Sequence, residues 1–357
     1  METSEKTYLN FIFVYLAAFA LIPMVIRNEL PYDMIENLHW GKELQLGYEK
    51  HPPLFAWISF FFYKSCFSWP ESLYILTQLN LFVGLFFVFK ISELLFNDRQ
   101  KSWASVVVFM SSVCAVYGNE KFSANTILMA LYPMMFYLFI RMIKFQRKTD
   151  AFALGVVGAA AVVGKYIALG YLGCMGLFLL LDKECRALLK TSLPYIAGVA
   201  FLIGISWHVV WMSEHNFITL RYALDKSTDA QKDYFSSFNF IGMQILFYAT
   251  AFWAFAYSYT KKISLLPPLK AHYSSEENFI LFISIVPQAL LFFISLFTGM
   301  RIGCFWGTNM FMTLGAYLFI LNKEEFDFDR LFKFAKIISV VFAVVLTAIL
   351  GLARLFL

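Results

Sequence analysis

Between Asp33 and Leu54 the chain concentrates four carboxylates, two lysines and two histidines in one polar stretch. It reads Asp33-Met-Ile-Glu36-Asn-Leu-His-Trp-Gly-Lys-Glu-Leu-Gln-Leu46-Gly47-Tyr48-Glu49-Lys50-His51-Pro52-Pro53-Leu54. Carboxylates and lysines set this close are the side chains that acid–base work and anion contact require. Charge is cheap at a membrane surface, but this density singles the segment out as a candidate site.

The elements that must position it are apolar. Hydrophobic residues make up 60% of the chain and charged residues 15%, against roughly a half and a quarter in soluble domains. Runs of bilayer-crossing length recur from end to end. An all-α, polytopic membrane protein of one domain, residues 1–357, is predicted. Spans are expected at 9–26, 72–96, 102–118, 125–141, 151–164, 166–181, 193–212, 239–260, 279–298, 304–321 and 335–356, about eleven helices. No small-x-small site follows Ile26, so the first run reads as an uncleaved span. The net charge of +5 reflects membrane topology, and no nucleic-acid partner is expected. The five cysteines have neither metal nor redox spacing and read as small apolar helix residues.

Residues 53–66 form an apolar segment of 14 residues. As a helix it would rise only about 21 Å, short of a hydrocarbon core of about 30 Å. The distribution of basic residues decides its place. If it does not cross, one set of turns carries Lys6, Arg99, Lys101, Arg141, Lys144, Arg147, Lys148, Lys183, Arg186, Lys190, Lys261, Lys262, Lys270, Lys323, Arg330, Lys333 and Lys336. These are 17 of the 29 basic residues, and they place the N-terminus and those turns in the cytoplasm. Residues 27–71 then form a first outer loop with interfacial helices, opened at the tandem prolines. The outer face also gathers Glu120 and Lys121, Lys165 and Tyr166, the long loop 213–238, and Arg301 near Trp306. Acids and bases from five turns share one face, as an enzyme working at a membrane surface would need.

These residues carry a resemblance. Asp33-x-x-Glu36, followed by Leu46-Gly47-Tyr48-Glu49-Lys50-His51-Pro52-Pro53-Leu54-x-x-Trp57, resembles the first outer loop of GT-C type glycosyltransferases. The similarity is to the branch of dolichyl-phosphate-mannose protein mannosyltransferases and bacterial lipid A aminoarabinose and galacturonic acid transferases. Further landmarks follow in order: Glu120-Lys-Phe-Ser-Ala-Asn125-Thr, Gly164-Lys165-Tyr166, Trp211-Met-Ser-Glu-His215-Asn-Phe-x-x-x-Arg221-Tyr222, and Trp306-Gly307. The Gly-Tyr-x-x-His-Pro-Pro-Leu element is the specific one. The others gain weight from their order.

The resemblance implies transfer of a sugar from a polyprenyl-phosphate donor to an envelope acceptor, lipid A, lipopolysaccharide or another glycan, with inversion. The reaction would run at the outer face of the inner membrane. Asp33 stands at the general-base position, and Glu120 in the region of a second acid. Lys50 and Lys165 match phosphate-contacting lysines, with Arg301 a further phosphate candidate. Glu36, Glu49, His51, His215, Arg221 and Tyr222 are implied as substrate contacts. No cofactor is otherwise expected. A divalent cation would draw on Glu49, His51 and His215, but their spacing is not that of a metal site. Typical family members continue into further spans or an outer soluble domain beyond this length, and that domain is expected to be missing here.

Blander readings stand beside these roles. Asp33 and Glu36 also fit an N-cap and capping box. Lys50 also fits a snorkelling lysine, and Glu120 a partner of Lys121 or a helix cap. Arg221 and Arg301 also fit helix-end anchors. His51 fits a packing or donor residue. Lys165 between two apolar runs is costly unless paired or at an aqueous edge. Two other functions remain open to the sequence: a transporter or flippase of lipid-linked substrates, and an inactive partner subunit.

Overall fold

The structure is a computed structural model that describes residues 5–228, 232–259, 263–268, 272–323 and 326–356. Lys261, Lys262 and Lys270 of the basic turns, the first four residues and part of the loop 213–238 lie outside the described residues. Among the described residues the regular structure is all helical, with one isolated antiparallel bridge, Tyr259 to Phe326.

In order, the helices are α1 (Glu5–Ile26), α2 (Tyr32–Glu43), α3 (Leu54–Ser65), α4 (Ser72–Phe96), α5 (Arg99–Met110) and α6 (Val113–Val116). Then come α7 (Leu128–Phe145), α8 (Lys148–Gly164), α9 (Ala168–Leu181), α10 (Lys183–Ala187), α11 (Leu193–Glu214) and α12 (Ile218–Thr228). The chain closes with α13 (Phe235–Ser258), α14 (Ser275–Thr298), α15 (Leu314–Leu321) and α16 (Phe328–Phe356).

Seven of these, α1, α4, α7, α11, α13, α14 and α16, are long and apolar enough to cross a membrane among the described residues. Seven of the eleven expected runs meet that length. The other four runs are helical but short: α5 has 12 residues, α8 has 17, α9 has 14 and α15 has 8. The chain remains a multi-pass membrane protein, since seven apolar helices of this length have no other satisfactory solvent.

The physical reasons differ from run to run. The 102–118 run breaks after Met110 because Ser112 turns its side chain back to cap the Ala115 N–H. The 304–321 run begins in a 3-10 turn at Cys304–Gly307, and α15 starts only at Leu314. Irregular backbone is tolerated within a membrane protein where protein groups satisfy it. Here Gln244 donates to the Cys304 carbonyl at 2.8 Å and Tyr248 to the Thr308 carbonyl at 3.0 Å.

Side-chain contacts sort the connections onto two ends of the bundle. One end holds Glu5–Arg99–Glu93, Arg141–Asp150 and Lys323–Glu277. The other joins Arg27, the 32–53 segment, residues 119–126 and Lys165. The second end is the one that matters for the site.

There α2 and α3 pack on each other across Gly41. A Cβ at that position would lie 2.4 Å from both the Ala56 carbonyl oxygen and the Phe60 Cβ. Each helix has 12 residues, about 18 Å of rise, so neither crosses a bilayer core. Leu54 opens α3 directly after Pro53, where a missing N–H costs nothing.

Candidate active site

Asp33 lies in the first turn of α2, but it does not cap the helix. Pro31 takes the N-cap position and no side-chain cap bond forms. The capping-box alternative therefore drops away. Instead the Asp33 carboxylate pairs with Lys121 at 2.9 Å, with both side chains 40% exposed. A carboxylate held by a cation yet open to solvent can accept a proton from an incoming hydroxyl.

Four residues further along α2, the buried amide of Asn37 donates to the Phe122 carbonyl at 2.8 Å. This bond fixes the register between the two loops. Glu120, beside Lys121, pairs with Arg27 at the end of α1 rather than with Lys121. The ends of α1 and α2 and the 119–126 loop are therefore clasped by three polar contacts.

Lys50 reaches back to the same helix. Its ammonium meets Glu36 at 2.5 Å and lies 5.7 Å from the Tyr32 ring centroid and 5.8 Å from that of Trp40. The hydrogen bond to the Glu36 carboxylate raises its pKa above the ordinary lysine value. Lys50 is thus a fixed cation one turn from Asp33, held by a partner and two ring faces.

Tyr48 supports it from below. Its hydroxyl donates to the Trp40 carbonyl at 2.5 Å and its ring stacks on Trp40 at 5.2 Å. Burial pushes its phenol pKa up to about 12.

Lys165 follows α8 in extended backbone. It hydrogen-bonds to the side-chain oxygen of Asn125 and lies 5.3 Å from the Trp306 ring centroid. Asn309 donates to the Asn125 carbonyl at 2.8 Å. The Lys-containing turn, the second loop and the Trp306 segment therefore meet, and the cost of a lysine between two apolar runs is offset by polar and aromatic partners.

Other predicted residues take different places. Arg301 pairs with Asp233 at 3.5 Å and is 60% exposed. Its described partner belongs to neither the Asp33 nor the Lys50 pair. Glu49 and Arg221 are exposed. Tyr222 lies within electrostatic reach of Lys50. His51 packs edge-on against Trp40 and Phe55. His215 stacks on Trp211 at 4.3 Å and bonds through Nδ1 to the Trp211 carbonyl at 2.8 Å. Among the described residues no three His, Cys, Asp or Glu side chains converge to hold a metal ion. All five cysteines are free thiols, three of them buried.

Sequence reasoning passed over Arg27, Asn37, His208 and Thr219. Two of them carried a signal. Arg27 is a basic residue at the end of the span opposite the basic turns, and His208 is an ionisable residue inside an apolar run.

Residues 50–211 match the family described as dolichyl-phosphate-mannose-protein mannosyltransferase. A sequence search of curated proteins finds no match. Among solved structures, ArnT from Cupriavidus metallidurans bound to undecaprenyl phosphate is similar with a TM-score of 0.67 and 11% identity. That match covers 90% of this chain and 61% of ArnT. ArnT in its apo state gives 0.67 and 12%, over 89% and 59%. The chain spans about three fifths of the length of ArnT. The matched stretch starts at Lys50 and ends at Trp211, and so includes the clasped second loop and the Lys165 turn. Residues 50–211 are thus similar to the mannosyltransferase family, and over nine tenths of its length the chain shares the fold of ArnT.

Proposed function

We propose that this protein is a membrane glycosyltransferase that moves a sugar from a polyprenyl-phosphate donor to a hydroxyl of an envelope acceptor, at the outer face of the inner membrane. The observation that carries the reading is the Asp33–Lys121 pair set one helical turn from the Glu36–Lys50 pair. It puts an exposed carboxylate beside a fixed cation on one short helix. The fold shared with a protein that binds undecaprenyl phosphate supports the donor class.

In this reaction the acceptor oxygen forms a bond to the anomeric carbon, and the bond from that carbon to the phosphate oxygen breaks. The electron pair of the broken bond leaves with the polyprenyl phosphate. The acceptor proton passes to the Asp33 carboxylate, a step worth about 10²–10⁴-fold in such reactions. Lys121 holds that carboxylate in place at 2.9 Å.

The leaving phosphate gains negative charge as the bond breaks. Lys50 and Lys165 supply point charges with freely rotating donors to meet it. Opposite faces of the sugar for base and leaving group give inversion. Glu120, held by Arg27, orients a hydroxyl of the acceptor or the sugar. The aromatic faces of Tyr32 and Trp40 flank Lys50 and suit the apolar side of a sugar ring or the first isoprene unit. Lipid A, lipopolysaccharide or a related glycan is the acceptor class.

Mass analysis of envelope glycolipids and glycoproteins, from cells with and without the gene, tests the reading. A difference of one sugar residue in one product class is expected. Identical glycans in both cells would overturn it.

A further inference from the structure

The 45–48 strap that leads into Lys50 is pinned along its length by residues far away in sequence. Trp57 donates to the Gln45 carbonyl at 2.9 Å, and its ring stacks on Trp207 of α11 at 5.3 Å. His208 bonds through Nδ1 to the Leu46 carbonyl at 2.7 Å. Gly47 lies flat on the Trp211 ring, where a Cβ would come within 2.2 Å of a ring carbon. Thr219 of α12 donates to the Tyr48 carbonyl at 2.7 Å. Two residues later the strap delivers Lys50.

His208 has a second bond. Its Nε2 lies 2.8 Å from the hydroxyl of Tyr166, the residue after Lys165. The ring is 1% exposed. Its tautomer follows from its partners. A carbonyl oxygen only accepts, so Nδ1 carries the proton that goes to Leu46. Nε2 of the neutral ring then accepts from the Tyr166 hydroxyl. The Tyr166 hydroxyl also lies 3.1 Å from the Met212 sulfur, one turn along α11. A single imidazole thus ties the backbone that precedes Lys50 to the residue that follows Lys165.

We infer that His208 is a positioning residue that sets the separation of Lys50 and Lys165, so that both ammonium groups engage one phosphate. The inference rests on the donor-phosphate reading above. His208 itself touches no substrate. Its neutral ring bonds to one lysine-bearing segment through each nitrogen, and the low exposure of the ring protects both bonds from water.

The test uses the purified full chain in detergent and two probes, undecaprenyl phosphate and undecaprenol, with binding read as displacement of a fluorescent polyprenyl phosphate. The variants are His208→Ala and, as the milder change, Tyr166→Phe, which keeps the ring and removes one hydroxyl. Wild type is expected to prefer the phosphate strongly over the alcohol. Each variant should lose about tenfold in undecaprenyl phosphate affinity, the scale of one lost hydrogen bond, with undecaprenol binding unchanged. In a Lys50→Gln, Lys165→Gln background the same variants should have no further effect, because the lysines they position are gone.

If wild type fails to prefer the phosphate, the donor reading itself falls. If wild type prefers it and Tyr166→Phe binds both probes as wild type does, the donor reading stands and the positioning role of His208 is overturned. Equal losses for phosphate and alcohol would mark a purely structural histidine, and would overturn the inference as well.

Discussion

The side-chain amide of Asn37 donates to the main-chain carbonyl of Phe122 at 2.8 Å, and Asn37 and Phe122 are both buried. Asp33 lies one turn before Asn37, and Lys121 directly precedes Phe122. One hydrogen bond therefore sets the register in which the candidate base meets its cation. Replacement by leucine, similar in size but without the donor, leaves the carbonyl buried and unmet at a cost of about 1–3 kcal/mol. Asn37→Leu should lower the thermal midpoint in detergent. It should also reduce kcat more than it raises the donor KM, since Lys50 has its own anchors. An unchanged midpoint and turnover would show that the clasp does not matter.

The Lys50–Glu36 pair makes a prediction about pH. The hydrogen bond to Glu36 raises the Lys50 pKa above the ordinary value, which is about 10.4. A raised lysine stays charged through its ordinary pKa and loses its proton only as pH climbs through the raised value. Donor affinity that depends on this charge is therefore retained at neutral pH and falls away in strongly alkaline solution. Glu36→Gln removes the main cause of the rise, so the alkaline fall should begin at lower pH than in wild type. Coincident alkaline limbs for the two proteins would contradict the role of Lys50 as the charged donor contact.

Gly47 tests how tightly the strap is laid on α11. A Cβ there would meet three Trp211 ring carbons at 2.2 to 2.8 Å, closer than real contacts permit. The flat indole cannot yield as a flexible side chain does. Gly47→Ala should cost about 1–3 kcal/mol of stability through overpacking, and should raise the donor KM as the strap lifts. Combined with Trp211→Ala, which removes the ring, the alanine at 47 should cost little more than the Trp211 change alone.

Asn125 separates two ways of holding Lys165. The asparagine side chain accepts from Lys165, and its backbone carbonyl receives Asn309. Asn125→Ala loosens the lysine, whereas Asn125→Asp would pair with it and compete with a phosphate for the same charge. Undecaprenyl phosphate binding should fall in both, and further in the aspartate variant. Tighter binding by the aspartate variant would place Lys165 outside the donor site.

Much of this site could be read before the structure, because its residues sit in one local segment. Asp33, Glu36 and Lys50 fall within 18 positions, so their grouping needs only a helix and a return loop. The opening of α3 after Pro53 was equally legible, since proline chemistry is local. What the sequence hid depends on contacts of long range. Arg27 with Glu120 spans 93 positions, and His208 with Leu46 spans 162. Where a run breaks is hidden for a related reason. The irregular segment before α15 is satisfied by Gln244 and Tyr248 of α13, and hydropathy alone cannot tell such a segment from a membrane-crossing helix. His215, a candidate ligand by type, is used for stacking on Trp211, which only the fold of the α11–α12 turn reveals.

The account rests most heavily on Asp33. The decisive measurement is the turnover of Asp33→Asn, assayed for sugar transfer at saturating donor and acceptor, with undecaprenyl phosphate binding followed in parallel. The asparagine keeps the shape and can still accept a hydrogen bond from Lys121, but it cannot take a proton. A fall in kcat of about 10²–10⁴-fold, with folding and undecaprenyl phosphate affinity intact, is the predicted result. Wild-type turnover by that variant would contradict the assignment of Asp33 as the base, and with it the proposed geometry of transfer.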